Sequence, residues 1–264
     1  MREFALRRPH TVVEAVELLA GGAIPYTGGT ELLAVMAMGL AQPETLVDLK
    51  RVDDLSGISE SDSDIVLRAR TTHREAHCSP VVQRHAPVLA VATHALGNVR
   101  VRATGTLAGN LCFAEPRSDV ITALFALRAR VELRSCSGSR VVDIEDFVEG
   151  SFSTAREETE LLTSVRVPKS MAHSTYLRFQ PTEYPTVTVA IVAAGDGGSC
   201  RVVVGAVGER PGVFDFDAVG DVDEFDIAQR VDVTEDLNGR EDYKRHLTSV
   251  FVRRALQQVE VSRG

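Results

Sequence analysis

Paired cysteines, an excess of positive charge and long apolar runs are all missing from this 264-residue chain, and each absence removes a class of function. Cys78, Cys112, Cys136 and Cys200 lie far apart and form no C-x-x-C pair, so no metal site or iron–sulfur cluster is expected in this chain. Scattered cysteines fit the reduced thiols of a cytoplasmic protein. The formal net charge of −8 argues against a nucleic-acid backbone or an anionic membrane as partner, although "RVRATGT" (100–106) is locally basic. No apolar run approaches the roughly 20 residues of a membrane span. The opening "MREFALRRPHT" has neither an apolar core nor a small-residue cleavage site, so it does not read as a secretory signal. No repeat of fixed period is visible. What remains is a globular composition, 44% hydrophobic and 25% charged, long enough for one large domain or two medium ones.

The first fifty residues alternate helix and strand. "TVVEAVELLA" (11–20) reads as a helix capped by Thr11, with Val12, Val13, Val16, Leu19 and Ala20 on its inner face. "AIPYTGG" reads as a strand entering a turn, "TELLAVMAMGL" (30–40) as a helix leaving it, and "ETLVDLK" (44–50) as a strand. A second unit opens with the strand "DIVLRAR" (64–70), whose Ile65, Leu67 and Ala69 alternate. Residues 71–96 read as helix with a break at Pro80. The stretch "GNVRVRATGTLAGNLCFAEPRSD" (97–119) reads as long and irregular, which inside a compact domain marks function. "VITALFALRARVELRS" (120–135) resumes helix and strand, and "RVVDIEDFVEG" and "ELLTSVRVP" complete an α/β unit. The last third is β-rich, with "STYLRF", "TVTVAIVAAG" and "CRVVVGAVGERP" separated by turns such as "DGGS". It closes on an amphipathic helix (241–259) with Leu247, Val250, Phe251 and Leu256 inward. A domain boundary is expected near 168–174.

Two small-residue turns stand out, "YTGGTELL" (26–33) and "GTLAGN" (105–110). Neither is a Walker A, because the lysine is absent, and neither is a G-x-G-x-x-G fingerprint. Each alone is ordinary turn chemistry. Together, opening toward helices in successive α/β units, they suit a diphosphate cradled by backbone N–H groups without a lysine. Asp119 follows Ser118 at a helix start, where it serves as a cap, as a ligand contact, or as both. Tyr184 beside a strand reads, on its own, as a core tyrosine with a satisfied hydroxyl. His73, His77, His85 and His94 read as a solvated helix face, since the His73–His77 spacing has no third ligand beside it. Cys112 and Glu115 have no neighbouring base and take no nucleophilic role.

These stretches resemble the FAD-binding medium subunits of molybdenum hydroxylases, flavoproteins of the carbon monoxide dehydrogenase and xanthine dehydrogenase type. The second segment is the more specific, with G-T-L-x-G-N followed nine residues after Asn110 by Asp119. The likeness continues through "LRFQPTEYPTVTVAIVAA" (177–194), "VVVGAVGERP" and the tail, spanning nearly the whole chain. It implies an α+β fold: a two-part α/β FAD-binding domain of the PCMH or vanillyl-alcohol-oxidase type over 1–170, with subdomains about 1–52 and 53–170. A small β-sheet-plus-helix domain over 171–264, like the carbon monoxide dehydrogenase flavoprotein's C-terminal domain, would follow.

Carried across residue by residue, the resemblance places Tyr26, Thr27, Gly28, Gly29, Thr30, Glu31 and Leu32 at the first flavin segment. Thr106, Leu107, Ala108, Gly109 and Asn110 fall at the second, and Asp119 would hydrogen-bond the cofactor. Leu162 would give a backbone contact, Arg178 stands where a Lys is common, and Tyr184 would lie against the isoalloxazine. Ala108 replaces a usual glycine, and a methyl there would either crowd the diphosphate or resist a positive φ, at some expense to affinity. No residue of this chain is expected to be catalytic. FAD would be bound non-covalently, with the molybdenum cofactor and [2Fe–2S] clusters in a large and a small partner subunit. Electrons would leave to NAD, a quinone, a redox protein or dioxygen. The alternative is a stand-alone FAD-dependent oxidoreductase acting directly on a small molecule.

Overall fold

The Thr11 hydroxyl accepts from the Glu14 N–H at 3.1 Å and opens helix α1 (Val12–Ala20), as the sequence suggests. The structure, a computed structural model, describes residues 3–169, 173–195 and 198–261. The inner face of α1 is Val12, Ala15, Val16 and Leu19, whereas Val13 is 51% exposed and Ala20 faces solvent. At 100° per residue, the stripe that holds Val12, Val16 and Leu19 also takes Ala15, and Val13 falls outside it. Strands β1 (Ala5–Arg7), β2 (Ile24–Tyr26) and β3 (Thr45–Asp48) form a parallel sheet in the order β1-β3-β2. Between β2 and β3 the chain makes the glycine turn and the short helix α2 (Leu32–Ala37).

The second sheet is antiparallel, ordered β4-β5-β10-β6-β7. Its strands are β4 (Ile58–Glu60), β5 (Asp64–Arg68), β6 (Arg130–Ser135), β7 (Gly138–Asp143) and, after the hairpin β8 (Val148–Gly150) and β9 (Ser153–Thr154), β10 (Leu161–Pro168). Strand β10 returns from far along the chain to the centre, and Ile65, Leu67, Val165 and Val167 are fully buried there. Six helices cross between β5 and β6: α3 (His73–Cys78), α4 (Pro80–His85), α5 (Pro87–Ala95), α6 (Val99–Thr104), α7 (Leu107–Phe113) and α8 (Asp119–Ala126). The helical stretch therefore breaks at Pro87 as well as at Pro80, each proline taking the first helical position where its missing N–H costs nothing. The stretch 97–119 is not irregular. Asn98 caps α6, which has no buried residue, and Thr106 caps α7, which buries Leu107, Ala108 and Leu111. A one-turn helix α9 (Ile144–Phe147) covers the edge near β7.

The third sheet is an antiparallel meander of β11 (His173–Phe179), β12 (Val187–Ala193), β13 (Cys200–Gly205) and β14 (Gly212–Phe216). Helices α10 (Glu224–Arg230) and α11 (Glu241–Val261) follow. Both faces of this sheet are buried. Val187, Val189 and Ile191 pack with Leu247, Phe251, Val252, Ala255 and Val259 of α11, while Tyr176, Ala190 and Val203 join the core of the preceding sheet and helices. Val250 and Leu256, expected inward, are partly buried against that second cluster. Strand alternation then directs Tyr176 and Arg178 of β11 to the α8 side and Leu177 and Phe179 to the α11 side. Arg201 fixes the same junction, reaching Asp215 at 2.8 Å and the Phe125 carbonyl at 3.1 Å, together with Glu145 at 2.6 Å. The expected boundary near 168–174 falls partly on 170–172, outside the described residues, as do Asp196 and Gly197 of the "DGGS" turn.

Candidate functional site

Strand β2 delivers the chain to the turn at 27–31, where two glycines are required for separate reasons. A Cβ at Gly28 would run into the Thr104 carbonyl and stand 3.0 Å from the Gly105 Cα, so only glycine lets the first turn lie on the second segment. Gly29 has φ +72°, a left-handed conformation that side chains resist. The contact is sealed by the Thr27 and Thr106 hydroxyls, 3.2 Å apart. Among the described residues, the backbone N–H groups of Gly28, Gly29, Thr30 and Glu31 have no acceptor. Successive free N–H groups beside a cavity form an anion-binding nest.

The second segment is organised differently. The Thr106 hydroxyl caps α7 by accepting from the Gly109 N–H at 3.1 Å. The Leu107 N–H donates to the Thr71 carbonyl at 3.0 Å, and the Asn110 N–H to the Thr106 carbonyl at 3.0 Å. Its backbone donors are largely committed, so among the described residues the free donors of the two segments lie chiefly in the first turn. The Asn110 carbonyl oxygen accepts from the Ser118 hydroxyl at 2.6 Å, which leaves its amide nitrogen as a donor.

These segments line one side of a cavity of about 730 Å³, within the roughly 300–1,000 Å³ of small-molecule and cofactor sites. Among the described residues no lysine lines it. The opposite wall comes from β11 and the loop after it. Asp119, 4% exposed, accepts from the Tyr176 hydroxyl at 2.6 Å and pairs with Arg178 at 3.1 Å. Burial pushes the Asp119 carboxyl up, against the opposing pull of Tyr176 and Arg178. At the mouth, the Arg117 guanidinium lies 4.1 Å from the centre of the Tyr184 ring and pairs with Glu115 at 2.8 Å. Burial, reinforced by Glu115, raises the Glu31 carboxyl above its ordinary value. Burial also pushes the Cys112 thiol up, which keeps this cavity-lining cysteine protonated and unreactive.

The family described as the FAD binding domain in molybdopterin dehydrogenase matches residues 2–170, more than half of the chain. The chain belongs to this molybdopterin dehydrogenase FAD-binding family. It is similar to the carbon monoxide dehydrogenase medium chain of Hydrogenophaga pseudoflava, 31% identical over 276 residues and covering 96% of each chain. Among solved structures it is similar to quinoline 2-oxidoreductase from Pseudomonas putida 86, with a TM-score of 0.91 and 26% identity over 100% of this chain and 99% of that one. It also resembles Hydrogenophaga pseudoflava carbon monoxide dehydrogenase lacking the Mo-pyranopterin moiety of its cofactor, at TM-score 0.89 and 29% identity over 98% of each chain. As a family member the chain is the medium, FAD-binding subunit of an oxidoreductase, and the partner subunits of the family carry the molybdenum cofactor and iron–sulfur clusters.

The cavity gathers most of the residues to which the family resemblance pointed. Tyr26 through Leu32, Thr106, Gly109, Asn110, Asp119, Arg178 and Tyr184 all line it. Three do not. Leu107 and Leu162 are buried in the hydrophobic core, and so is Ala108. The φ of Ala108 is not positive, so its methyl meets no backbone conflict within α7. Asp119 does not cap α8. Ser118 does, its hydroxyl accepting from the Ile121 N–H at 3.3 Å, and Asp119 is the first helical residue.

The histidines do not form one solvated face: His73 is 2% exposed and the partly buried His77 has its Nδ1 3.0 Å from the Ala90 carbonyl and stacks on His94, which is exposed as expected. A capping box between Thr72 and Glu75 fixes the start of α3 and sets His73 against the second segment, where its N–H donates to the Gly105 carbonyl at 3.1 Å. That box, T-x-x-E just ahead of the helix, was the readable signal. Arg117 was also missed, and "EPRSD" offers no pattern that singles it out.

Proposed function

We propose that this chain is the electron-transfer subunit of a molybdenum hydroxylase complex, drawing electrons from [2Fe–2S] clusters of a small subunit and passing them to an external acceptor. The observation that carries it is the cavity that, among the described residues, is lined by no lysine and bordered by four N–H groups without partners, those of Gly28, Gly29, Thr30 and Glu31. That chemistry fits FAD: a diphosphate is held by many weak donors, and Asn110 and Asp119 border the rest of the cofactor. Bound there, FAD supplies reversible electron storage, while the protein supplies binding, orientation and electrostatics. Tyr184 and its Arg117 partner cover the mouth and limit access of solvent and small oxidants. In this reading residues 1–170 hold the cofactor and 171–264 close over it. NAD, a quinone, a redox protein or dioxygen takes the electrons, and hydroxylation of the organic substrate occurs in the large subunit.

Affinity purification of the tagged chain from its native cells, followed by metal analysis, tests this. Two further chains bringing iron and molybdenum are expected. A chain that purifies alone, free of both metals, and whose flavin is bleached by an organic substrate with no partner would show a stand-alone oxidoreductase instead.

A further inference from the structure

Among the described residues at this cavity, His73 is buried with a ring that no protein group engages. It lines the cavity while only 2% exposed, and its Nδ1 is shut off from solvent with no hydrogen-bond partner. Buried polar atoms without partners are rare, and each calls for a reason. The orientation of the ring supplies one. A Cβ built at Gly105 would stand 3.2 Å from the His73 Cδ2 and 3.2 Å from the Thr30 Oγ1, so the Cδ2–Nε2 edge of the ring converges with the first turn. No hydrogen bond to Nε2 is formed among the described residues. A neutral imidazole carries one proton, and an orphaned donor is the costlier of the two orphans, so the proton belongs on Nε2. Burial, with Arg102 nearby, lowers the pKa of His73 to about 4, which keeps the ring neutral at physiological pH.

We propose that His73 is a further cofactor-binding residue, donating from Nε2–H to a diphosphate oxygen of FAD beside the N–H groups of Gly28 to Glu31. In a cavity without lysine, it adds a directional donor on a helix start that the Thr72–Glu75 capping box holds in place. The inference rests on the FAD reading above.

Three proteins test it: the wild type, His73→Gln, which keeps an N–H donor of similar reach, and His73→Phe, which keeps a ring but donates nothing. Each full chain, stripped of flavin, is titrated with FAD and with riboflavin, which lacks phosphate. Phe should weaken FAD binding about tenfold or more, Gln by about threefold or less, and neither should change riboflavin binding. In 15N-histidine-labelled wild type, FAD should move the His73 Nε2–H proton resonance downfield, and riboflavin should leave it in place; this readout needs no variant to fold. Equal FAD affinity in wild type and His73→Phe, equal losses in both variants, or an Nε2–H signal indifferent to FAD would overturn the role of His73 while leaving the FAD reading standing. A wild type that binds no FAD would overturn the FAD reading itself.

Discussion

Gly28→Ala asks whether the two cofactor segments depend on direct backbone contact. The added methyl would strike the Thr104 carbonyl and press on the Gly105 Cα at 3.0 Å. Both are backbone atoms, and Gly105 is tied on each side, its N–H to the Val101 carbonyl at 2.7 Å and its carbonyl to the His73 N–H at 3.1 Å. They cannot yield as a side chain would, so the turn itself must lift. Lifting breaks the 3.2 Å Thr27–Thr106 contact and carries the free N–H groups of 28–31 off the cavity. Overpacking of this kind with one lost hydrogen bond costs about 2–4 kcal/mol. Gly220→Ala is the matched control, because nothing lies within 4 Å of a Cβ there. Urea unfolding and fluorescence titration with FAD measure both consequences. The expected result is a lowered midpoint and at least a tenfold loss of FAD affinity for Gly28→Ala, with Gly220→Ala like wild type. Stability within about 0.5 kcal/mol of wild type and undiminished FAD binding would refute the contact argument.

Three further outcomes follow from the same geometry. Ala108→Gly should leave FAD affinity unchanged and cost about 0.5–1 kcal/mol in urea unfolding, since Ala108 is a buried helical residue that does not line the cavity. Asp119→Ala should destabilise by about 2–4 kcal/mol, by removing the acceptor of the Tyr176 hydroxyl and unpairing Arg178, and Asp119→Asn, which keeps a neutral acceptor, should cost less; equal costs would show that the acceptor contributes nothing without the charge. Hydrogen bonding from Arg140 holds the Glu160 carboxyl below its ordinary value of 4.5, so the stability it contributes is present above that value and is lost as pH falls through the lower folded one. Glu160→Gln should flatten that acid loss in pH-dependent unfolding, and an unchanged slope would remove Glu160 as its source.

Local chemistry made much of the fold readable. Thr11 caps α1, and the alternation of Ile65, Leu67 and Ala69 marked β5. Non-local pairing was not readable. The partners of β10 are β5 and β6, and no local pattern reveals that pairing or the burial of the Leu162 side chain. Residues 97–119 looked irregular because α6 and α7 are too short and too rich in small residues to show an amphipathic stripe. At the site, most of the residues that the family resemblance named line the cavity, but the reason for Gly28 lies in Thr104, a backbone neighbour no local pattern reveals. His73 reads as solvated in the sequence because histidines on a helix look alike until one of them is buried.

The flavin content of the purified full-length chain tests the central claim most directly. The protein should be yellow with about one FAD per chain, and acid precipitation should release all of it to the supernatant, as expected of a cofactor held by hydrogen bonds alone. A colourless protein that takes up no added FAD, or colour that remains in the acid pellet, would contradict the account.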